Sequence, residues 1–171
     1  VPVLVPSPDG ITRAELLRQH CTPRTRAIIF ASPGNPTGGV IPRTELLKIA
    51  ELAREKNLWI LSDEVYEHFA YGVEHVSIAS LSPDARVRTL TVGSCSKTYA
   101  MTGWRLGFCG GQRKLISSMI TILSHALGNP SSVVQHAAIA ALDGPQECVR
   151  ETRGVFARRR QLVLSTLQRI G

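Results

Sequence analysis

Two short apolar runs, Ala27 to Phe30 and Leu58 to Leu61, and a β-type run, Val87 to Val92 (V-R-T-L-T-V), punctuate the chain. Each ends in a cluster of polar and turn-forming residues. The two apolar runs read as buried strands of a parallel sheet, the first buried on both faces, and the third run reads as a further strand. Between the first two, Leu46, Leu47, Ile49, Ala50 and Ala53 form a helical stripe behind Pro42, a residue suited to the first turn of a helix. Strands separated by helices define an α/β layered architecture, here a three-layer sandwich around a mostly parallel sheet. In such sheets ligands sit outside the carboxyl ends of the strands. Those ends carry Ser32-Pro33-Gly34-Asn35-Pro36-Thr37-Gly38-Gly39, then Ser62-Asp63-Glu64-Val65-Tyr66, then Ser94-Cys95-Ser96-Lys97.

The rest of the chain fits around this frame. Val1 to Val5 is β-like, and residues 12–20 are helix-like, with Ala14, Leu16 and Leu17 apolar. Residues 67–86 show no period and read as irregular. Arg105 to Cys109 is expected as a fourth strand. Residues 112–127 and 132–142 read as helices separated by Gly128-Asn129-Pro130-Ser131. A long amphipathic helix is expected from Asp143-Gly144-Pro145 to about Gly171.

Charge and cysteine usage narrow the function classes. The formal charge is +7, but six arginines (Arg150, Arg153, Arg158, Arg159, Arg160 and Arg169) fall on the terminal helix. That pattern reads as a solvated or domain-bridging helix. Without interleaved aromatic residues it does not suit single-strand binding, and no nucleic-acid partner is expected. Cys21, Cys95, Cys109 and Cys148 form no C-x-x-C pair, which argues against zinc and against a disulfide framework and suits a reducing compartment. No run approaches the roughly 18 apolar residues of a membrane span. A cytoplasmic location is expected, although a chain that begins at Val1 says nothing of a targeting segment.

Lys97 is the chemically unusual residue. The chain has only four lysines, and Lys48, Lys56 and Lys114 lie in polar helical surroundings where arginine would serve equally well. Lys97 stands among Ser, Cys, Thr, Tyr, Ala and Met. Lysine can lose its proton to become a nucleophilic amine, which arginine cannot do. A lysine that forms a Schiff base invites pyridoxal phosphate. That cofactor needs an acid near its ring nitrogen, donors near its phenolate oxygen, and hydroxyls with an arginine around its phosphate. Asp63, then Tyr66 with Asn35, then Ser94 and Ser96 with Arg105, would fill these roles. Taken singly, each has a plainer reading. Asp63, Asn35, Ser94 and Ser96 could be turn or capping residues, Tyr66 a cover on the core edge and Arg105 a surface charge. Ser94-Cys95-Ser96-Lys97 also matches the S-x-x-K of serine β-lactamases. The S-D-N element of those enzymes is absent, and Lys97-Thr98 leads into Tyr99 where K-T-G is required.

The stretches S-P-G-N-P-T-G at 32–38, S-D-E-V-Y at 62–66 and S-C-S-K-T-Y-A-M-T-G-W-R-L-G at 94–107 together resemble the class I/II aminotransferases, of the aspartate aminotransferase fold (fold type I). The resemblance implies a pyridoxal-phosphate enzyme that moves an amino group between an L-amino acid and a 2-oxo acid, usually as a homodimer. It makes Lys97 the Schiff-base lysine and proton shuttle. Asp63 becomes the partner of the ring nitrogen, Tyr66 and Asn35 donors to the phenolate oxygen, and Ser94, Ser96 and Arg105 the phosphate holders. Tyr66 three residues after Asp63 favours aminotransferases over fold relatives that carry His there, although some lyases and synthases share the pattern. Cys95 replaces a larger apolar residue and reads as a packing residue, not a nucleophile. By the same resemblance, residues 1–144 are part of an incomplete cofactor-binding large domain, and 145–171 begin the helix leading to a smaller C-terminal domain. The phosphate loop, the ring-stacking aromatic and the substrate-carboxylate arginine would lie outside these residues, so low or absent activity is expected of the 171 residues alone.

Overall fold

The computed structural model describes residues 9–170, and the strand expected at Val1 to Val5 lies outside the described residues. After α1 (Ala14–His20) come β1 (Ala27–Ala31), α2 (Arg43–Glu55) and β2 (Trp59–Asp63). Then follow α3 (Pro83–Arg88), β3 (Thr89–Ser94), the single turn α4 (Cys95–Thr98) and β4 (Gly107–Gly110). Three helices complete the chain: α5 (Arg113–Ala126), α6 (Ser132–Asp143) and α7 (Glu147–Ile170). The sheet order is β1-β2-β3-β4, with β1, β2 and β3 parallel and β4 antiparallel at the edge. The α/β class and the mostly parallel sheet match the expectation.

Ile28 and Phe30 of β1 and Ile60 of β2 point to one face of the sheet. There they pack with Ala14 and Leu17 of α1, with Leu46, Ile49, Ala50, Leu52 and Ala53 of α2, and with Ile78 and Ala85. The parallel register aligns Ile28 with Ile60 and Ala31 with Asp63, so the core layers and the carboxyl ends stay level. Two expectations need correction here. β1 is not buried on both faces, since Ile29 is 71% exposed; among the described residues nothing packs over it. Leu47 is exposed and Leu52 is buried in its place, because α2 is held by α1 as well as by the sheet and buries a wider face than the simple stripe.

Asn57 ends α2 in the left-handed conformation (φ 51°), and the Leu58 N–H reaches back to the Ala53 carbonyl at 2.8 Å. This 6→1 closure satisfies a carbonyl at the helix end and turns the chain directly into β2.

The third strand starts later than its sequence suggests. Val87 and Arg88 belong to α3, which Ser82 caps by accepting the Ala85 N–H at 3.0 Å and which Pro83 opens. Arg88 grips Asp84 with bonds of 2.8 and 2.6 Å and donates to the Leu58 carbonyl at 3.2 Å, so helix contacts outweigh the β preference of Val87. Residues 67–86 are correspondingly less irregular than expected, with 3₁₀ turns at Glu67–Phe69 and Ile78–Ser80 besides α3. The fourth strand begins at Gly107, because Arg105 adopts φ 54° and cannot extend β4.

The arginines of α7 are partly spent on docking. Arg153 donates to the Ala70 carbonyl at 2.8 Å, and Arg153 and Arg160 both lie over the Tyr71 ring. Phe156 meets Phe69 edge-on, with centroids 5.7 Å apart. No helix among the described residues is long and apolar enough to cross a membrane.

Candidate active site

The site grows from the parallel register. Asp63 lies beside Ala31 on one side and Val92 on the other, and strands stand about 4.8 Å apart. The ladder continues one step further, with the Ser32 N–H donating to the Asp63 carbonyl at 3.0 Å and the Glu64 N–H to the Val92 carbonyl at 2.9 Å. The loop bearing Asn35, the turn bearing Tyr66 and the segment bearing Lys97 therefore leave the sheet at one edge.

Asn35 sits on an exposed loop closed by two backbone bonds, Gly38 N–H to the Gly34 carbonyl at 2.7 Å and Gly34 N–H to the Gly39 carbonyl at 2.9 Å. The Ser32 hydroxyl accepts the Ile41 N–H at 3.0 Å and ties the far side of the loop to the core. Asp63 accepts the Val65 N–H on Oδ1 at 3.1 Å, a short turn that leaves Oδ2 for a further donor. The turn role and a binding role thus use different oxygens of one carboxylate. Lys97 is exposed, and its Nζ lies 5.8 Å from the centroid of the Tyr66 ring, which joins the second and third motifs in space.

Ser94 caps α4 by accepting the Ser96 N–H at 3.0 Å, and its own proton goes to the Leu106 carbonyl at 3.0 Å. A hydroxyl has one proton to give, so Ser94 in this arrangement orders the loop before it can donate to a ligand. Arg105 spends one N–H on the Thr102 carbonyl at 2.8 Å and keeps the rest of its fork exposed. Gly93, just before the capped turn, lies under Phe108 of β4. A methyl group there would come within 2.5 Å of the ring. Cys95 is fully buried, and burial pushes its thiol above the ordinary range, which suits packing and not nucleophilic chemistry. All four cysteines are free thiols.

Sequence reasoning missed the group behind this edge. Glu64, next to Asp63, points into the protein. Its Oε1 accepts from the Ser62 hydroxyl at 2.8 Å and from the Ser77 hydroxyl at 3.0 Å, and its Oε2 lies 3.2 Å from His75 Nε2. The Glu64 and His75 side chains are only 6% and 11% exposed. The one signal in the sequence was two-residue alternation, which puts Ser62 and Glu64 on the opposite face of the strand from Asp63. A second missed link is Tyr99, whose hydroxyl donates to Gln146 Oε1 at 2.9 Å and connects the lysine segment to the start of α7.

Comparison with known proteins agrees with the fold. The profile of the family described as aminotransferase class I and II matches residues 8–171. The aspartate aminotransferase of Geobacillus stearothermophilus is 43% identical over 157 residues, covering 91% of this chain and 40% of that protein. The aspartate/prephenate aminotransferase of Cereibacter sphaeroides is 45% identical over 155 residues, covering 90% of this chain and 39% of that one. Among solved structures, the aromatic aminotransferase from Pyrococcus horikoshii OT3 superposes with a TM-score of 0.89 at 41% identity, covering 94% of this chain and 43% of its own. The chain belongs to the class I and II aminotransferase family. It spans about 40% of the length of the curated relatives it matches.

Proposed function

We propose that the full-length protein containing this chain is a pyridoxal-phosphate-dependent aminotransferase with Lys97 as its cofactor-binding lysine. The observation that carries this reading is the approach of Lys97 Nζ to Tyr66 at the edge where Asp63 ends β2. The donor set fits the cofactor. Asp63 Oδ2 has room for a protonated ring nitrogen, Tyr66 and Asn35 offer polar groups for a phenolate, and Ser96 with the open Arg105 fork suits a phosphate. Ser94 serves the phosphate through the loop it orders.

The bound cofactor would supply an electron sink for the carbanion formed at the substrate α-carbon. The protein's own residues would do the rest. Asp63 would sit beside the ring nitrogen and favour its protonated form. Tyr66 and Asn35 would help to hold the ring. Lys97 Nζ would hold and move the proton at the substrate α-carbon.

An acidic, aromatic or alanine-like L-amino acid with a 2-oxo acid partner is the proposed substrate class, and the relatives named as aspartate, aspartate/prephenate and aromatic aminotransferases support its acidic and aromatic members. A homodimer is the proposed assembly. We assign residues up to 144 to the large domain and α7 to the link toward a smaller one. The free thiols accord with a cytoplasmic location.

Borohydride reduction of the full-length protein mixed with pyridoxal phosphate tests the reading. The cofactor is expected on the peptide containing Lys97, with loss of visible absorbance. Capture on another lysine, or no capture by folded protein, overturns it.

A further inference from the structure

We propose that Glu64 is a positioning residue for Asp63 and Tyr66, acting through the buried network it makes with Ser62, Ser77 and His75. The inference rests on the reading that Asp63 and Tyr66 hold the cofactor and goes beyond it, because Glu64 faces away from that edge.

Burying a carboxylate is costly, and an apolar side chain of similar volume is often as stable in such a place. Here three polar groups converge on the buried carboxyl group. The Ser62 and Ser77 hydroxyls share Oε1, and His75 Nε2 faces Oε2. A satisfied network of this kind fixes one geometry, and the use of that geometry is visible in the backbone. The Glu64 carbonyl accepts the Glu67 N–H at 2.9 Å, and the Tyr66 carbonyl accepts the Phe69 N–H at 2.8 Å. The turn that presents Tyr66 therefore hangs directly on Glu64. Successive strand residues point to opposite faces, so locking the Glu64 side chain inward also fixes the outward aim of Asp63. Ser77 and His75 lie 13 and 11 residues further along, and the network pins both ends of the segment between them. His75 Nδ1 is buried with no hydrogen-bond partner, so the side-chain hydrogen bonding of the imidazole runs through Glu64.

The test uses the full-length protein and two conservative variants, Glu64→Gln and Ser77→Ala. In cofactor-free protein, hydrogen exchange is expected to quicken at the Val65, Glu67 and Phe69 amides in both variants while the amides within β2 keep their rates. In loaded enzyme, kcat is expected to fall about 10-fold for Glu64→Gln and about 3-fold for Ser77→Ala, with KM changed less than about 2-fold, as misaimed groups slow chemistry more than binding. Unchanged exchange at the three amides, or equal quickening throughout β2, overturns the positioning role. So does an unchanged kcat. If Glu64→Gln does not fold, Ser77→Ala decides. Failure of wild-type protein to trap cofactor on Lys97 would count against the functional reading, whereas the exchange result judges the network independently.

Discussion

The two strand ends that build the site are held by opposite means. At the end of β2, Asp63 and Tyr66 lean on the buried carboxylate of Glu64, with each of its oxygens engaged by the interior. At the end of β3, Lys97 and Arg105 sit on an exposed segment in which Ala100 and Arg105 both adopt φ 54°. The first end is fixed by desolvated polar bonds, the second by a capped single turn and two residues in left-handed backbone. A ring cofactor needs an unmoving partner for its nitrogen and an amine able to swing away and back. On the proposed reading, the end held by buried bonds carries the acid and the exposed end carries the amine.

The contrast is broken most severely at Asp63. Asp63→Asn keeps an oxygen for the Val65 N–H, so the turn survives, but it removes the charge that would hold a proton on the ring nitrogen. We expect kcat to fall by about 10³-fold, the scale of losing one key electrostatic group, with cofactor capture at Lys97 intact. Turnover within a few-fold of wild type would remove the proposed role of Asp63.

Glu64→Ala separates the inner support from the outer acid. It removes the partner of the buried Ser62 hydroxyl and of the part-buried Ser77 hydroxyl and His75 imidazole. A loss of about 3 kcal/mol in unfolding free energy is expected from chemical denaturation, against about 1 kcal/mol for Asp63→Ala at the half-buried outer position. Equal losses would mean that the two ends of this carboxylate pair are not held differently.

Much of the outer site was legible in the sequence, and the inner support was not, for a physical reason. Asp63 with Tyr66, and Ser94, Ser96 and Lys97, are close neighbours in the chain at the ends of recognisable apolar or β-type runs, so their meeting follows from sheet geometry alone. Glu64 and His75 pair across a stretch without helical or strand period, where nothing local marks two distant residues as partners. The helix at Pro83–Arg88 was hidden differently. Ser82-Pro83-Asp84 is a helix start, but the β-preferring residues between Val87 and Val92 carried the expected strand back across the helix end. Left-handed Ala100 and Arg105 are invisible to a reading that expects glycine at such positions.

Glu45 calibrates how much a half-buried carboxylate contributes away from the site. It accepts the Ala14 N–H at 2.7 Å and meets Lys48 at 3.2 Å, joining the starts of α1 and α2. Burial pushes its carboxyl up, but the Ala14 N–H and the Lys48 ammonium outweigh that and hold it below its ordinary value of 4.5. A group whose folded value is depressed stabilises the fold fully above the unfolded value and loses that contribution as pH falls through the lowered one. Glu45→Gln is therefore expected to cost about 1 kcal/mol at neutral pH and nothing once the pH lies below both values. A constant difference across that range would show that the bond geometry, not the charge, is what counts.

The smallest effect probes the strained end directly. Ala100 pays for its left-handed backbone with about 1 kcal/mol that glycine would not pay, while glycine loses more chain entropy on folding. The balance predicts that Ala100→Gly stabilises the protein by about 0.5 kcal/mol, read as a shift in denaturation midpoint, with kcat unchanged within about 2-fold. Arg105→Gly relieves the same backbone strain but removes the guanidinium fork, so its stability should rise while its cofactor affinity falls. If Ala100→Gly destabilises as an ordinary exposed Ala→Gly change does, strain at that position is not stored. If both glycine variants weaken cofactor binding alike, the left-handed backbone itself aims Lys97, and the looser end of the site is held more firmly than its exposure suggests.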